Sequence, residues 1–160
     1  MIFRKQEKKS RFILKLLFMK NYSTWLKTAA IFQFIFAAIH TSTLFLTPEA
    51  ANETEKQLID LMSTYKMDFG NGFVRTMNEL VFTFSASLSL LMIFGGILNF
   101  YLLIKKADLQ IMKGIINLQL IVFGILLAVT ATHAFLFPTT LVGLIFLFLI
   151  LSRMMIKTPN

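Results

Sequence analysis

The chain contains no cysteine, which excludes disulfides, thiol catalysis and cysteine-ligated metals. Charge is scarce as well. Only 15% of the 160 residues are Asp, Glu, Lys or Arg, against about 25% in an ordinary soluble domain. No acidic residue interrupts the apolar run from 25 to 46, and the connection around Pro138 carries no charge of either sign. No haem signature or other catalytic motif is present. These absences argue against a water-soluble enzyme.

What the chain has instead is apolar length. It is 56% hydrophobic, with eighteen phenylalanines. Four segments approach or reach the roughly 20 residues needed to cross a bilayer: about 25–46, 80–104, 114–137 and 139–156. Backbone in lipid satisfies its own hydrogen bonds, so such runs are expected to be helices. The expected fold class is all-α: an integral membrane four-helix bundle with an extracytoplasmic amphipathic helix between spans one and two. Residues 1–24 form a basic cytoplasmic or interfacial segment, 25–156 the membrane domain with its outer loop at 47–79, and 157–160 a tail.

Lys and Arg set orientation. Arg4, Lys5, Lys8, Lys9, Arg11, Lys15 and Lys20 precede the first run, and Lys105, Lys106 and Lys113 lie between the second and third. Arg153 and Lys157 close the chain, whereas the first loop is acidic, with Glu49, Glu53, Glu55, Asp60, Asp68 and Glu79. Every loop predicts both termini in the cytoplasm and a multi-pass protein of the inner (plasma) membrane. The net charge of +8 thus points to topology and anionic lipid, not to nucleic acid. The amino-terminal basic region is too long for a signal peptide, and so is the apolar run that follows it. The stretch "RFILKLLFMKNYSTW" suits a helix in the inner interface, or serves only to orient the chain.

In the outer loop Thr47, Pro48 and Glu49 read as a helix start, and Leu58, Leu61, Met62 and Tyr65 follow at helical spacing. An amphipathic helix over 48–66 is expected to rest this stripe on the mouth of the bundle, as a tether or as a lid. Gly70-Asn71-Gly72 supplies a turn.

Two polar layers follow from depth at roughly 1.5 Å per residue. Gln33, Asn99, Asn117 and Gln119 lie toward the cytoplasmic side, where amides join helices as structural glue. The outer layer holds His40, His133, Glu79, Asn78, Arg75 and Thr130, with Thr41, Thr43 and Thr132 near the same level. Ionisable groups at membrane depth are functional candidates. The structural alternative is a histidine bonded to a neighbouring carbonyl and Glu79 paired with Arg75. Functionally, two imidazoles could ligate haem, the histidines with Glu79 could hold one metal, or His40 or Glu79 could exchange protons with a quinone or lipid. The sequence requires none of these cofactors.

The stretches "AAIHTSTLF", "NGFVRTMNELVFTFSASLSLLMIFGG" and "THAFLFPTTLVGLIFLFLI", with an outer helical loop, resemble small four-span bacterial proteins of the DoxX-like kind over most of 25–156. That resemblance implies either no assigned activity or a quinone-linked oxidoreductase subunit. "RTMNEL" carries the Arg, Asn and Glu of glutathione-linked MAPEG enzymes, but at too short a spacing and on the wrong side of the membrane. The leading expectation is an accessory, interaction or lipid-binding bundle, partnered by lipid, another membrane protein or a second copy. A quinone-linked redox or lipid-modifying enzyme, then a small transporter, stand behind it.

Overall fold

The computed structural model describes the backbone of residues 2–46 and 49–156, and side chains from residue 22 onward within that range. Among these residues are five helices and one hairpin: α1 Ile2–Thr43, α2 Glu53–Thr64, β1 Lys66–Asp68, β2 Val74–Thr76, α3 Met77–Ile104, α4 Leu109–His133 and α5 Leu136–Met155. Three of them, α3, α4 and α5, are long and apolar enough to cross a membrane, with mean hydropathies of 2.0, 2.2 and 2.0. α1 falls outside that set because Lys27, Gln33, His40 and the hydroxyls at 41–43 dilute its apolar run. It is continuous for 42 residues, about 63 Å at ~1.5 Å per residue. The basic segment and the first apolar run therefore share one helix. The basic side chains before Tyr22, Thr47 and Pro48, and the tail at 157–160 lie outside the described residues.

The chain divides into two compact units, residues 1–35 with 94–160 and residues 36–93. In the first unit, Tyr22, Leu26, Ala29, Ala30 and Gln33 are buried along one side of α1. Their spacing of three and four residues defines a single helix face. Met112, Ile116 and Phe123 on α4 and Val142, Ile145, Leu149 and Ser152 on α5 follow the same rule. The outward faces are also apolar: Ile97, Leu118, Ile121, Val122 and Ile125 are all exposed. A helix apolar on every side suits lipid, not water.

Side-chain contacts tie these helices together. The Ser152 hydroxyl donates to Tyr22 O at 3.0 Å, and Trp25 stacks on Phe148 at 5.8 Å. α4 and α5 form an antiparallel pair, with Gly124 facing Phe146 and Gly143 facing Leu127.

The ends of α4 and α5 differ from the bounds of the apolar runs read in the sequence. Asp108 starts α4 at Leu109, earlier than residue 114, because its Oδ1 accepts from Gln110 N at 2.7 Å. α4 stops at His133, short of 137, where Ala134 N–H and the Thr139 hydroxyl both donate to Thr130 O at 2.9 Å. Pro138 does not separate the helices. It sits in the first turn of α5, where its missing N–H leaves no bond unmade. Between α3 and α4, Lys106 N donates to Leu103 O and Ala107 N to Leu102 O, a Schellman closure. Its left-handed position is filled by Lys106, at φ 51°.

In the second unit, α2 begins at Glu53, not near Pro48. The true cap is Asn52, whose Oδ1 accepts from Glu55 N at 2.9 Å while Glu55 Oε2 accepts from Ala51 N at 2.6 Å. No α2 residue is buried. Of the expected stripe, Leu58, Leu61 and Tyr65 are exposed and Met62 is half-buried. The expected Gly70-Asn71-Gly72 turn is present, all three residues at positive φ. It closes an unforeseen hairpin with Met67 opposite Arg75 and Asp68 opposite Val74.

Candidate functional site

In the first unit three of the four inner amides meet. Asn99 Nδ2 donates to Gln33 Oε1 at 3.2 Å and to Gln119 Oε1 at 3.1 Å. Gln119 Nε2 returns a bond to Asn99 Oδ1 at 2.7 Å, and Gln33 Nε2 donates to Gln119 Oε1 at 3.3 Å. Gln33 and Asn99 are each 0% exposed. The three side chains therefore form a closed ring of donors and acceptors across α1, α3 and α4. In a low-dielectric interior such a ring is stable only when every member is satisfied.

Asn117 is not part of it. It lies two residues before Gln119, roughly 200° around a helix with 3.6 residues per turn, and so faces away. Its Oδ1 accepts from Arg153 Nε at 2.7 Å, clipping α4 to α5.

The outer candidates fall into both units. Glu79, Asn78 and Arg75 stand where the hairpin enters α3, in the second unit. Glu79 Oε2 accepts from Thr76 N at 2.7 Å, and Thr76 Oγ1 accepts from Glu79 N at 3.3 Å. That reciprocal pair is a capping box, legible in the sequence as Thr76-x-x-Glu79. Glu79 therefore caps α3 from an exposed position. The Arg75 guanidinium donates to Val74 O at 2.7 Å, and Asn78 Nδ2 donates to Ser63 Oγ at 2.8 Å, holding α2 to α3. Arg75, Asn78, Glu79, Leu80, Phe82 and Thr83 line an open hollow of about 610 Å³.

Thr130 and His133 belong to the first unit. Thr130 Oγ1 donates to Leu127 O at 3.2 Å. His133, the exposed last residue of α4, shares a 2.6 Å hydrogen bond between Nδ1 and Thr132 Oγ1. Helix hydroxyls elsewhere behave alike: Ser42 donates to Ile39 O and Thr43 to His40 O, both at 2.7 Å. Each donates to a carbonyl three or four residues back on its own helix.

His40 differs. Its ring packs against Phe36 at 5.6 Å, and its Nε2 is buried without a hydrogen-bond partner, as is Ser89 Oγ in the same unit. Sequence reasoning passed over Ser89, since one serine among "SASLS" carries no distinguishing signal. Among the described residues, no three His, Asp or Glu side chains converge as metal ligands. No family model, curated protein or solved structure matches the chain.

Proposed function

We propose that the chain is a four-span integral membrane protein of the inner membrane with both termini cytoplasmic, acting as a non-catalytic accessory, interaction or lipid-binding bundle. In this reading the α1 segment from Trp25 onward supplies the first span and α2 lies outside. Lys105, Lys106 and Arg153 mark the cytoplasmic side, and Glu53, Glu55, Asp60 and Asp68 the other. The observation that carries the reading is the closed Gln33–Asn99–Gln119 ring, whose hydrogen bonds hold three helices together. Its partners are membrane lipids, anionic lipid at the basic amino-terminal segment, and a second membrane protein or copy.

One observation favours a second reading, a quinone-linked redox or lipid-modifying enzyme of the DoxX-like kind. The unpaired Nε2 of His40 could donate to a quinone carbonyl. Native mass spectrometry of gently extracted protein, beside the His40→Gln/His133→Gln variant, separates the two. The accessory reading expects the same bare or lipid-bearing masses from both proteins and unchanged growth of cells carrying the variant. A stoichiometric quinone or haem mass lost in the variant would overturn it.

A further inference from the structure

The hairpin at residues 66–76 has two unlike faces. Side chains alternate along strands, and the pairings of Met67 with Arg75 and of Phe69 with Phe73 place those four on one side. Lys66, Asp68, Val74 and Thr76 occupy the other. Phe69 and Phe73 flank the tip and are 59% and 62% exposed. Two three-residue strands enclose no core that could cover them.

We infer that this hairpin is a membrane-interface anchor: its Met67–Phe69–Phe73 face enters the lipid beside α3, and Arg75 takes a lipid phosphate at the adjoining hollow. The inference rests on the reading of α3 as a span. Continuity favours lipid as the occupant. Thr76 is both the last strand residue and the cap of α3, so no linker separates the hairpin from the exposed Met77, Val81, Phe82 and Phe84. The chemistry agrees. Arg75 lies on the apolar face, and a guanidinium at the edge of an apolar surface meets phosphate while its stem stays in lipid. Among the described residues, Val74 O is the one hydrogen-bond acceptor that its five donors meet. The Glu79 carboxylate lines the same hollow, where its Oε2 accepts from Thr76 N and keeps its charge, so the phosphate contact falls to the Arg75 guanidinium alone.

Tryptophan quenching tests this on the full chain. Trp25→Phe removes the single native tryptophan and keeps a ring against Phe148. Into that background go Phe73→Trp, Phe69→Trp and, as a mid-span reporter, the exposed Leu91→Trp. Each is reconstituted into phosphatidylcholine–phosphatidylglycerol vesicles whose acyl chains carry bromine near the headgroup or near the midplane. The anchor expects shallow bromine to quench Phe73→Trp and Phe69→Trp more than deep bromine, with iodide ineffective, and Leu91→Trp to show the reverse depth preference. Quenching of Leu91→Trp alone overturns the anchor and leaves the span standing, whether iodide then shows the tip in water or its failure shows a protein cover. Quenching of none overturns both. Adding Arg75→Gln to Phe73→Trp reduces shallow quenching, and unchanged quenching would overturn the phosphate contact.

Discussion

Gly95 brings the α3 backbone so close to Gln33 that a Cβ at that position would lie 3.0 Å from the Gln33 amide nitrogen. The approach lets Gln33 reach both Asn99 and Gln119. At the next residue, a Cβ on Gly96 would meet the Phe34 ring at 2.8 Å, and Phe34 is itself held against Phe100 at 6.0 Å. Gly96→Ala therefore destabilises by overpacking, by about 1–3 kcal/mol. Gly95→Ala costs less, because an amide end can shift where a clamped ring cannot. Equilibrium unfolding in mixed detergent micelles ranks the two, and an equal or reversed order would contradict the packing described.

The amide ring and its excluded neighbour make a matched pair. Asn99→Leu removes a side chain that both donates and accepts, leaving Gln33 and Gln119 underpaired in an apolar interior, a loss of about 1–3 kcal/mol. Asn117→Ala removes one bond at an exposed position and costs about 1 kcal/mol or less. The same unfolding assay distinguishes them. Were Asn117 the more costly site, the clip to Arg153 would matter more than the ring.

Lys106 occupies a backbone position that suits glycine. A non-glycine residue in the left-handed region costs roughly 1–2 kcal/mol, and Lys106 adopts φ 51° where the end of α3 turns toward α4. Lys106→Gly stabilises the protein by about 1 kcal/mol, read as a higher unfolding midpoint. A lower midpoint would show that the lysine cation outweighs its backbone strain.

The Thr76–Glu79 box makes a local prediction. Thr76→Val deletes the hydroxyl that accepts from Glu79 N and keeps a β-branched residue in the strand. Hydrogen exchange at the amides of the first turn of α3 then accelerates, while protection deep in α3 is unchanged. A uniform change along the whole helix would mean that the box stabilises more than the helix end.

Much of this architecture was legible, for reasons that vary by element. α3, α4 and α5 declare themselves by apolar length, and the inner amides by their distance from flanking lysines. Depth does not report azimuth, which is why Asn117 was grouped with Gln119 although two residues turn it away. The Thr76-x-x-Glu79 spacing carries the capping box in the sequence, whereas the strand that ends at Thr76 emerges only with the hairpin. Thr47 and Pro48 read as a helix start, yet α2 is capped further along the chain by Asn52, which accepts from Glu55 N. The hairpin itself was hidden, since three-residue strands carry too little alternation to register.

The absence of cysteine turns topology into a clean measurement. Single cysteines at Thr54, exposed near the start of α2, and at Ala107, in the connection between α3 and α4, report the two loops without background labelling. Four spans with cytoplasmic termini place Thr54→Cys outside and Ala107→Cys inside. A membrane-impermeant maleimide applied to intact spheroplasts should then label Thr54→Cys at once and Ala107→Cys only after lysis. Labelling of both before lysis would mean that α3 does not cross the membrane. The reverse pattern would invert the protein, against the basic character of Lys105, Lys106 and Lys113. Because α1 is diluted by Gln33 and His40, its own crossing needs the partner pair Ala50→Cys and Lys20→Cys. Labelling of both from the same side would leave α3, α4 and α5 as the spans and make α1 a long helix that stays on one face of the bilayer.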